Sequence, residues 1–218
     1  MIEEEFTLME SPAMSAEQRG LLFAMIRLCC PAIAIHEFHH ARSLTAADKQ
    51  ALLPAPLMVQ KSLSLALGDQ LILVSGLGDF QIDRTFLRGL TRILGLPLRA
   101  AKQAQINPAR LEPLRATGLA QGMVSPFFPP SHGAVLPFVA VVLLPAPVPL
   151  FADTQTAISL SLQSSVLVPS MLLDRLIYHY AWRVYPHIPV ISWSAGEGLR
   201  EEHPLERALQ LATVGGRD

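Results

Sequence analysis

Val59-Gln-Lys-Ser-Leu-Ser-Leu-Ala-Leu67 carries the pattern on which the fold turns. Successive strand residues point to opposite faces, so Val59, Lys61, Leu63, Leu65 and Leu67 fall on one side and Gln60, Ser62, Ser64 and Ala66 on the other. Gly68-Asp69 is a two-residue turn signal, and Gln70 to Ser75 returns as the hairpin partner. Upstream, Ser15-Ala-Glu-Gln18 is a capping-box pattern ahead of Leu21, Leu22, Met25, Ile26 and Cys29 at helical spacing. It predicts a helix to about Cys30, ended by Pro31. Ala32 to Phe38 reads as a short strand leading into His39-His40, and Thr45-Ala-Ala-Asp48 caps a short helix that stops before Pro54.

Downstream, Asp83 caps a helix that turns Phe86, Leu87, Leu90, Ile93 and Leu94 inward and ends at Gly95. Pro108 starts another short helix through Leu111 and Leu114, and 118–130 is a loop. Strands are expected at Phe138–Leu144, Val148–Ala152 and Ala157–Val168, the last kinked or split, followed by an amphipathic helix from Ser170 to Tyr185. Beyond it the chain is rich in Pro, Gly and charge and shows no clear core. Hairpin turns in place of regular βαβ alternation predict an α+β domain: a mixed sheet with flanking helices. The expected organisation is an acidic, mobile tail over 1–14, the domain over 15–175, and a C-terminal helix and tail over 176–218.

Half of the 218 residues are hydrophobic and only 16% are charged, against a usual charged share of roughly 25%. That supplies ample core and excludes disorder over most of the length. The net charge of −1 conceals an uneven distribution. Glu3, Glu4, Glu5, Glu10 and Glu17 open the chain without a basic residue, whereas Arg84 to Arg115 holds seven basic residues against Glu112 alone. The middle third can therefore present a basic face. The adjacent Cys29 and Cys30 read as a reduced, buried pair. The N-terminal glutamates do not fit a signal peptide, and the longest apolar stretch, Ala134 to Phe151, is cut by Pro137, Pro145, Pro147 and Pro149. A soluble, cytoplasmic protein is expected.

Lys61 is one of three lysines and shares a strand face with four aliphatic side chains. Such a lysine costs several kcal/mol unless its ammonium reaches water, an anion or a carbonyl. A functional cation and a lysine that merely extends its stem to solvent stay equally open. Gly122-Met-Val-Ser-Pro126, followed by Phe127-Phe-Pro-Pro130, is a rigid loop able to aim backbone groups into a pocket, although such loops are also common punctuation. Arg84, Arg88 and Arg92 stand at i, i+4 and i+8, a mildly repulsive stripe that an anion would relieve and that a solvated helix face also explains. His36, His39 and His40 cluster around Glu37, but no further ligand stands at a recognisable spacing, so no metal site is assigned. No nucleophile elbow, P-loop or dinucleotide fingerprint is present.

Taken in order, these pieces resemble the YbaK/prolyl-tRNA-synthetase-associated domain, a family of aminoacyl-tRNA editing deacylases. The resemblance runs through Ala34-Ile-His-Glu-Phe-His-His40, Gln60-Lys61-Ser62-Leu63, Gly78-Asp-Phe-Gln-Ile-Asp-Arg-Thr-Phe-Leu87 and Thr117-Gly-Leu-Ala-Gln-Gly-Met-Val-Ser-Pro-Phe127, over roughly residues 20–175. It implies a mixed, partly closed sheet and hydrolysis of the ester joining a wrong amino acid to the tRNA 3′ end. Lys61 would hold substrate phosphate or carbonyl oxygen. Gly122 and Pro126 would frame the loop that positions the aminoacyl group and the attacking water, with Met123, Val124, Ser125, Phe127, Ser159 and His36 binding substrate.

The resemblance implies no side-chain nucleophile, no metal and no cofactor. The implied partner is the acceptor end of aminoacyl-tRNA, met by Arg84, Arg88 and Arg92; no membrane is involved, and the tail is left for a protein partner. One departure stands out. Where the family has a Ser-(Gly/Ala)-Gly-rich turn with basic residues, this chain has Ile158-Ser-Leu-Ser-Leu-Gln-Ser-Ser165, with Ser159 but without the glycines or the basic residues. The alternative is a non-catalytic module of the same fold that binds a small ligand or a protein partner.

Overall fold

The computed structural model describes residues 13–43, 46–53, 57–78, 80–106, 124–127, 138–146, 153–194, 198–204, 206–207 and 210. The alternation that opens the sequence reading holds through one long strand, β2 (Leu57–Leu67), which folds back on β3 (Gln70–Leu77). Gly68 makes the turn at φ 61°, a conformation that costs a side-chain-bearing residue far more than glycine. Before the hairpin come α1 (Ala16–Cys29), β1 (Glu37–His39) and α2 (Ala46–Leu52). After it come α3 (Arg84–Ile93), α4 (Arg99–Lys102), β4 (Gln105–Ile106), β5 (Phe138–Leu143), β6 (Gln155–Ser159), β7 (Ser164–Pro169), a 3-10 turn (Ser170–Leu172), α5 (Leu173–Val184), β8 (Val190–Ser194) and β9 (Gly198–Glu202).

The strands form one mixed sheet in the order β1-β7-β6-β2-β3-β5-β8-β9, with β4 also paired to β2. The β2–β6, β3–β5 and β5–β8 pairs are parallel, and the others are antiparallel. Strand β2 is handed from one neighbour to the next. Leu57–Val59 pair with β6, and Gln60–Leu67 pair with β3 on the other side. The short β4 meets β2 again only at Leu65 and Ala66. Among the described residues, no strand pairs with β2 on its β6 side between Val59 and Leu65.

The sheet separates two apolar layers, and strand parity sorts the residues between them. Leu73 and Leu77 of β3, Val141 and Leu143 of β5, Ile158 of β6 and Val166 of β7 pack with Leu22 and Ile26 of α1 and Leu176, Ile177 and Tyr180 of α5. On the opposite face, Leu65, Ile72, Val74, Ala140 and Val142 pack under Phe86 and Leu90 of α3. Val59 and Ala157 of that face lie with Leu53, just past α2. The caps are those expected: the Ser15 side chain accepts from Gln18 N, and the Asp83 side chain accepts from Phe86 N.

Several expectations are corrected. The early strand is only Glu37–His39, with Ile33–His36 irregular. The long segment Ala157–Val168 is two strands, β6 and β7, joined as a hairpin. The acidic tail does not extend to residue 14, because Met14 is buried and its N–H donates to Leu160 O at 2.8 Å. The boundary at 175 cuts through α5, whose Leu176, Ile177, Tyr178, Tyr180 and Ala181 are buried. Val190–Ser194 and Gly198–Glu202 are sheet, not tail. Val190 and Ile191 are fully buried in opposite layers, and Trp193 stands edge-on to Phe86 with ring centroids 5.8 Å apart. A Pro-, Gly- and charge-rich composition hid two short strands, one of which supplies an edge that needs little apolar sequence. The helix expected after Pro108 and the strand at Val148–Ala152 lie outside the described residues. No helix among the described residues is long and apolar enough to cross a membrane.

Deleting residues 190–218 tests the correction. Val190 and Ile191 alone represent about 1.5–3 kcal/mol of burial each, a large share of a typical total stability of about 5–15 kcal/mol. The truncated chain is expected to lose its cooperative thermal transition and to elute as aggregate on size exclusion. An unchanged melt would restore the tail reading.

Candidate functional site

Lys61 lies on β2 opposite Gly76 of β3, on the face that carries Leu65, Ile72 and Val74. A Cβ at Gly76 would stand 3.1 Å from both the Phe80 ring and the Leu144 Cβ, so the missing side chain lets Phe80 lie close to the sheet. The half-buried Lys61 ammonium sits 5.2 Å from the centroid of that ring. Lys61 thus stands at the unpaired stretch of β2, flanked on the same face by the cluster under α2 and the cluster under α3.

Ser159 lies on the same face. In the parallel β2–β6 ladder Val59 pairs with Ala157, so Lys61 and Ser159 each lie two residues further along, with side chains on the same face. Helix α2 closes over this end of the sheet because the Gln50 amide bridges to β2, donating to Leu57 O at 2.7 Å and accepting from Val59 N at 3.1 Å. One residue before Gln50, Lys49 is only 4% exposed and donates to Ser159 Oγ and, at 3.2 Å, to Ser165 Oγ. Ser165 is directly opposite Ser159 in the β6–β7 ladder. His40 Nδ1 lies 2.8 Å from Ala41 O, which can only accept, so Nδ1 carries the proton. In the neutral ring Nε2 then accepts from the Ser165 hydroxyl at 3.0 Å.

Among the described residues the Lys49 ammonium bonds two hydroxyls, and no carboxylate ion-pairs with it. Burial therefore pushes Lys49 down to about 8, because the charged form is the one that loses hydration. The result is an amine that exchanges its proton near neutral pH, in contact with a half-buried hydroxyl.

The other expected site residues distribute differently. Gly122 and Met123 lie outside the described residues. Val124 and Phe127 pack into the layer of α1 and α5, across the sheet from Lys61. Pro126 O accepts from the Tyr185 hydroxyl at 2.8 Å, Phe127 O accepts from Gln18 Nε2 at 2.6 Å, and Ser125 Oγ accepts from Phe127 N at 3.3 Å. The Phe127 ring meets Tyr180 edge-on at 5.3 Å. The expectation that this loop and Lys61 line one cavity is thus corrected for its described part: strand parity turns them to opposite faces, and the loop's carbonyls hold α1 and α5.

His36 is exposed in the irregular segment before β1. Arg84, Arg88 and Arg92 are all exposed on α3, the helix that covers the Lys61 face. A small cavity of about 70 Å³ opens on the other face between Ser75, Leu143, Ser170 and Asp174. It reaches neither Lys61 nor residues 124–127.

Of the expected residues, Lys61 and Ser159 share a sheet face just beyond the last β2–β6 pair. Lys49, Ser165 and His40 were not singled out as site residues. The signal for Lys49 was present as the i, i+4 spacing to Leu53, which places the lysine on the buried side of α2. No protein-family model matches this chain, and no curated protein matches it. Fold and site by themselves define a mixed-sheet domain of helices and strands with a lysine- and serine-lined seam on one sheet face.

The Lys49 shift carries a stability consequence. Its folded value, about 8, lies below the ordinary 10.5, so between those values the unfolded chain binds more protons and stability rises with pH. Relative to Lys49→Met, which cannot titrate, wild type is expected to gain up to about 3 kcal/mol between pH 7 and pH 10. Urea denaturation of both proteins at the two pH values measures it; a constant difference would mean Lys49 is solvated.

Proposed function

We propose that this chain edits aminoacyl-tRNA in trans, hydrolysing the ester of a mischarged acceptor end on a YbaK-like, partly closed sheet. One observation carries the reading. Lys61 and Ser159, two residues the resemblance selects, each lie two residues past the last β2–β6 pair, on the sheet face that the arginine-bearing α3 covers. A tRNA 3′ end is a polyanion ending in a carboxylic ester. Arg84, Arg88 and Arg92 meet its phosphates, and the Lys61 ammonium meets a terminal phosphate or the ester carbonyl oxygen. As the carbonyl carbon becomes tetrahedral, negative charge grows on that oxygen and the half-buried cation offsets it. Water supplies the attacking oxygen, the acyl C–O bond to ribose breaks, the ribose oxygen takes up a proton from that water, and the amino acid and a 3′-terminal hydroxyl are released.

A second reading is a non-catalytic module of the same fold that binds a small ligand or a protein partner. It is favoured by the Pro126 and Phe127 carbonyls, which are spent on Tyr185 and Gln18 across the sheet from Lys61.

Deacylation of a set of mischarged small-amino-acid tRNAs separates the two. Wild type is expected to hydrolyse at least one above the spontaneous rate, and Lys61→Ala to lower that rate about 10²–10³-fold with little change in melting temperature. No hydrolysis by wild type leaves the module reading. Each phosphate contact contributes roughly 0.7–0.9 to the log–log salt slope, so replacing the three arginines by Gln should flatten the slope of tRNA binding by about two to three. An unchanged slope would return the stripe to a solvated helix face.

A further inference from the structure

The chemistry of the Lys49 cluster is not used by the proposal above. An aminium buried without a carboxylate is costly to keep charged, whereas a neutral amine in the same place is a base. Its hydrogen-bond partner Ser159 is half-buried and reachable from the seam. A second hydroxyl, Ser165, holds the amine from β7, and His40 fixes Ser165 from beyond β1. A nucleophile in reach of a base, with the base oriented by a third group, is the arrangement of covalent catalysis, and serine–lysine pairs are one of its forms.

We infer that Ser159 and Lys49 form a nucleophile–base dyad, with Ser165 and His40 as positioning residues, that takes a carboxylic ester through an acyl-Ser159 intermediate. In the first half-reaction Ser159 Oγ attacks the carbonyl carbon as its proton passes to the neutral Lys49 Nζ. The tetrahedral oxyanion forms at the seam that also holds Lys61. Its collapse breaks the ester C–O bond, and the leaving oxygen takes the proton back from the Lys49 ammonium. In the second half-reaction water attacks acyl-Ser159, gives its proton to Lys49 Nζ and releases the carboxylic acid; the proton then returns to Ser159 Oγ. No oxidant, reductant or metal enters the balance. The ester substrate class rests on the proposed function, while the dyad rests on the contacts under α2 alone.

A fluorophosphonate probe tests the dyad without tRNA: the Oγ–P bond forms, fluoride leaves, and the proton goes to Lys49. Mass spectrometry of wild type is expected to show the adduct on Ser159 and to lose it in Ser159→Ala. Labelling is expected to fall by about 10²-fold or more in Lys49→Met and in Lys49→Arg, which keeps the charge but cannot act as a base. Far-ultraviolet spectra and melts of each variant identify any that fail to fold, and Lys49→Met, which removes a buried charge, guards against that outcome.

The labelling rate should rise with pH through about 8, where Lys49 gives up its proton, and then level off. His40 and Lys61 are the other titratable groups placed toward this end of the face, and a midpoint in the ordinary imidazole range, about 6.5, would assign the base to His40 and overturn the dyad. So would an unlabelled wild type, an adduct elsewhere, or Lys49→Met labelled at the wild-type rate. Deacylation assays on the same samples keep the two claims apart. Hydrolysis that survives Ser159→Ala supports editing and sinks the dyad; a Ser159 adduct without hydrolysis of any aminoacyl-tRNA supports the dyad and sinks editing.

Discussion

Strand β2 must satisfy two neighbours that want different things from it. Over Leu57–Val59 it runs parallel to β6, and from Gln60 it runs antiparallel to β3 on its other edge. At the hand-over the β6-side edge is left unpaired until β4 arrives at Leu65. Backbone groups at such a break need partners. On the other, β3-side edge, where the hairpin pairing has not yet begun, Gln50 bonds Leu57 O and Val59 N, beside the Gly78 N that donates to Val59 O at 3.1 Å. Because Gln50 is thereby fixed, so is the turn of α2 that carries Lys49. The start of the β2–β3 pairing, the seat of α2 and the position of the buried amine are therefore one constraint seen at three places.

Period-two alternation then decides which groups can meet. Lys61, Ser159 and Ser165 share a face by parity, and no rotamer of Lys61 carries it through a sheet whose other side is filled by Leu73, Leu77 and Ile158. The same rule keeps Lys61 off the face on which Val124 and Phe127 pack. That segment instead joins α1 to α5 through Gln18, Tyr180 and Tyr185, a role that accounts for a fully buried Phe127 and Pro126 without any ligand. The two lysines differ for a physical reason. Lys61 has a ring face beneath its ammonium, whereas the Lys49 ammonium meets the Ser159 and Ser165 hydroxyls.

Much of the frame was legible because it rests on local rules. The β2–β3 hairpin followed from strict alternation and a Gly-Asp turn. Helices α1 and α3 followed from Ser15 and Asp83 caps ahead of apolar residues at helical spacing. What escaped was non-local. Strands β8 and β9 are five residues each, and β8 is held by parallel pairing with β5, a partner some fifty residues away, which leaves no local periodicity to read. The site was half legible for the same reason. Lys61 stood out because strand alternation made a lysine anomalous. Lys49 did not, because a lysine in a seven-residue helix is unremarkable until β6 and β7 bring two serines beneath it.

The departure from the family pattern takes on a different meaning at this level. The resemblance calls for basic residues beside the glycine-rich turn that follows Ser159, and the stretch to Ser165 contains none. Read along the chain, that is a lost site. In space a basic group is nevertheless present, because α2 delivers Lys49 to Ser159 and Ser165 from more than a hundred residues upstream. The serines that replace glycine are occupied as well: Ser161 Oγ pairs with Ser164 Oγ at 3.0 Å, and Leu160 N and Ser161 N both donate to Ser164 O, so the turn closes on its own hydroxyls and backbone. A tight turn that needs no glycine freedom, together with a cation supplied from another element, keeps charge and hydroxyl adjacent by a different route. A buried lysine would be costly to retain for packing alone, since an apolar side chain of similar volume fills the space without desolvation. Its contacts with two serines, one of them half-buried at the seam, are what give that cost a chemical counterpart.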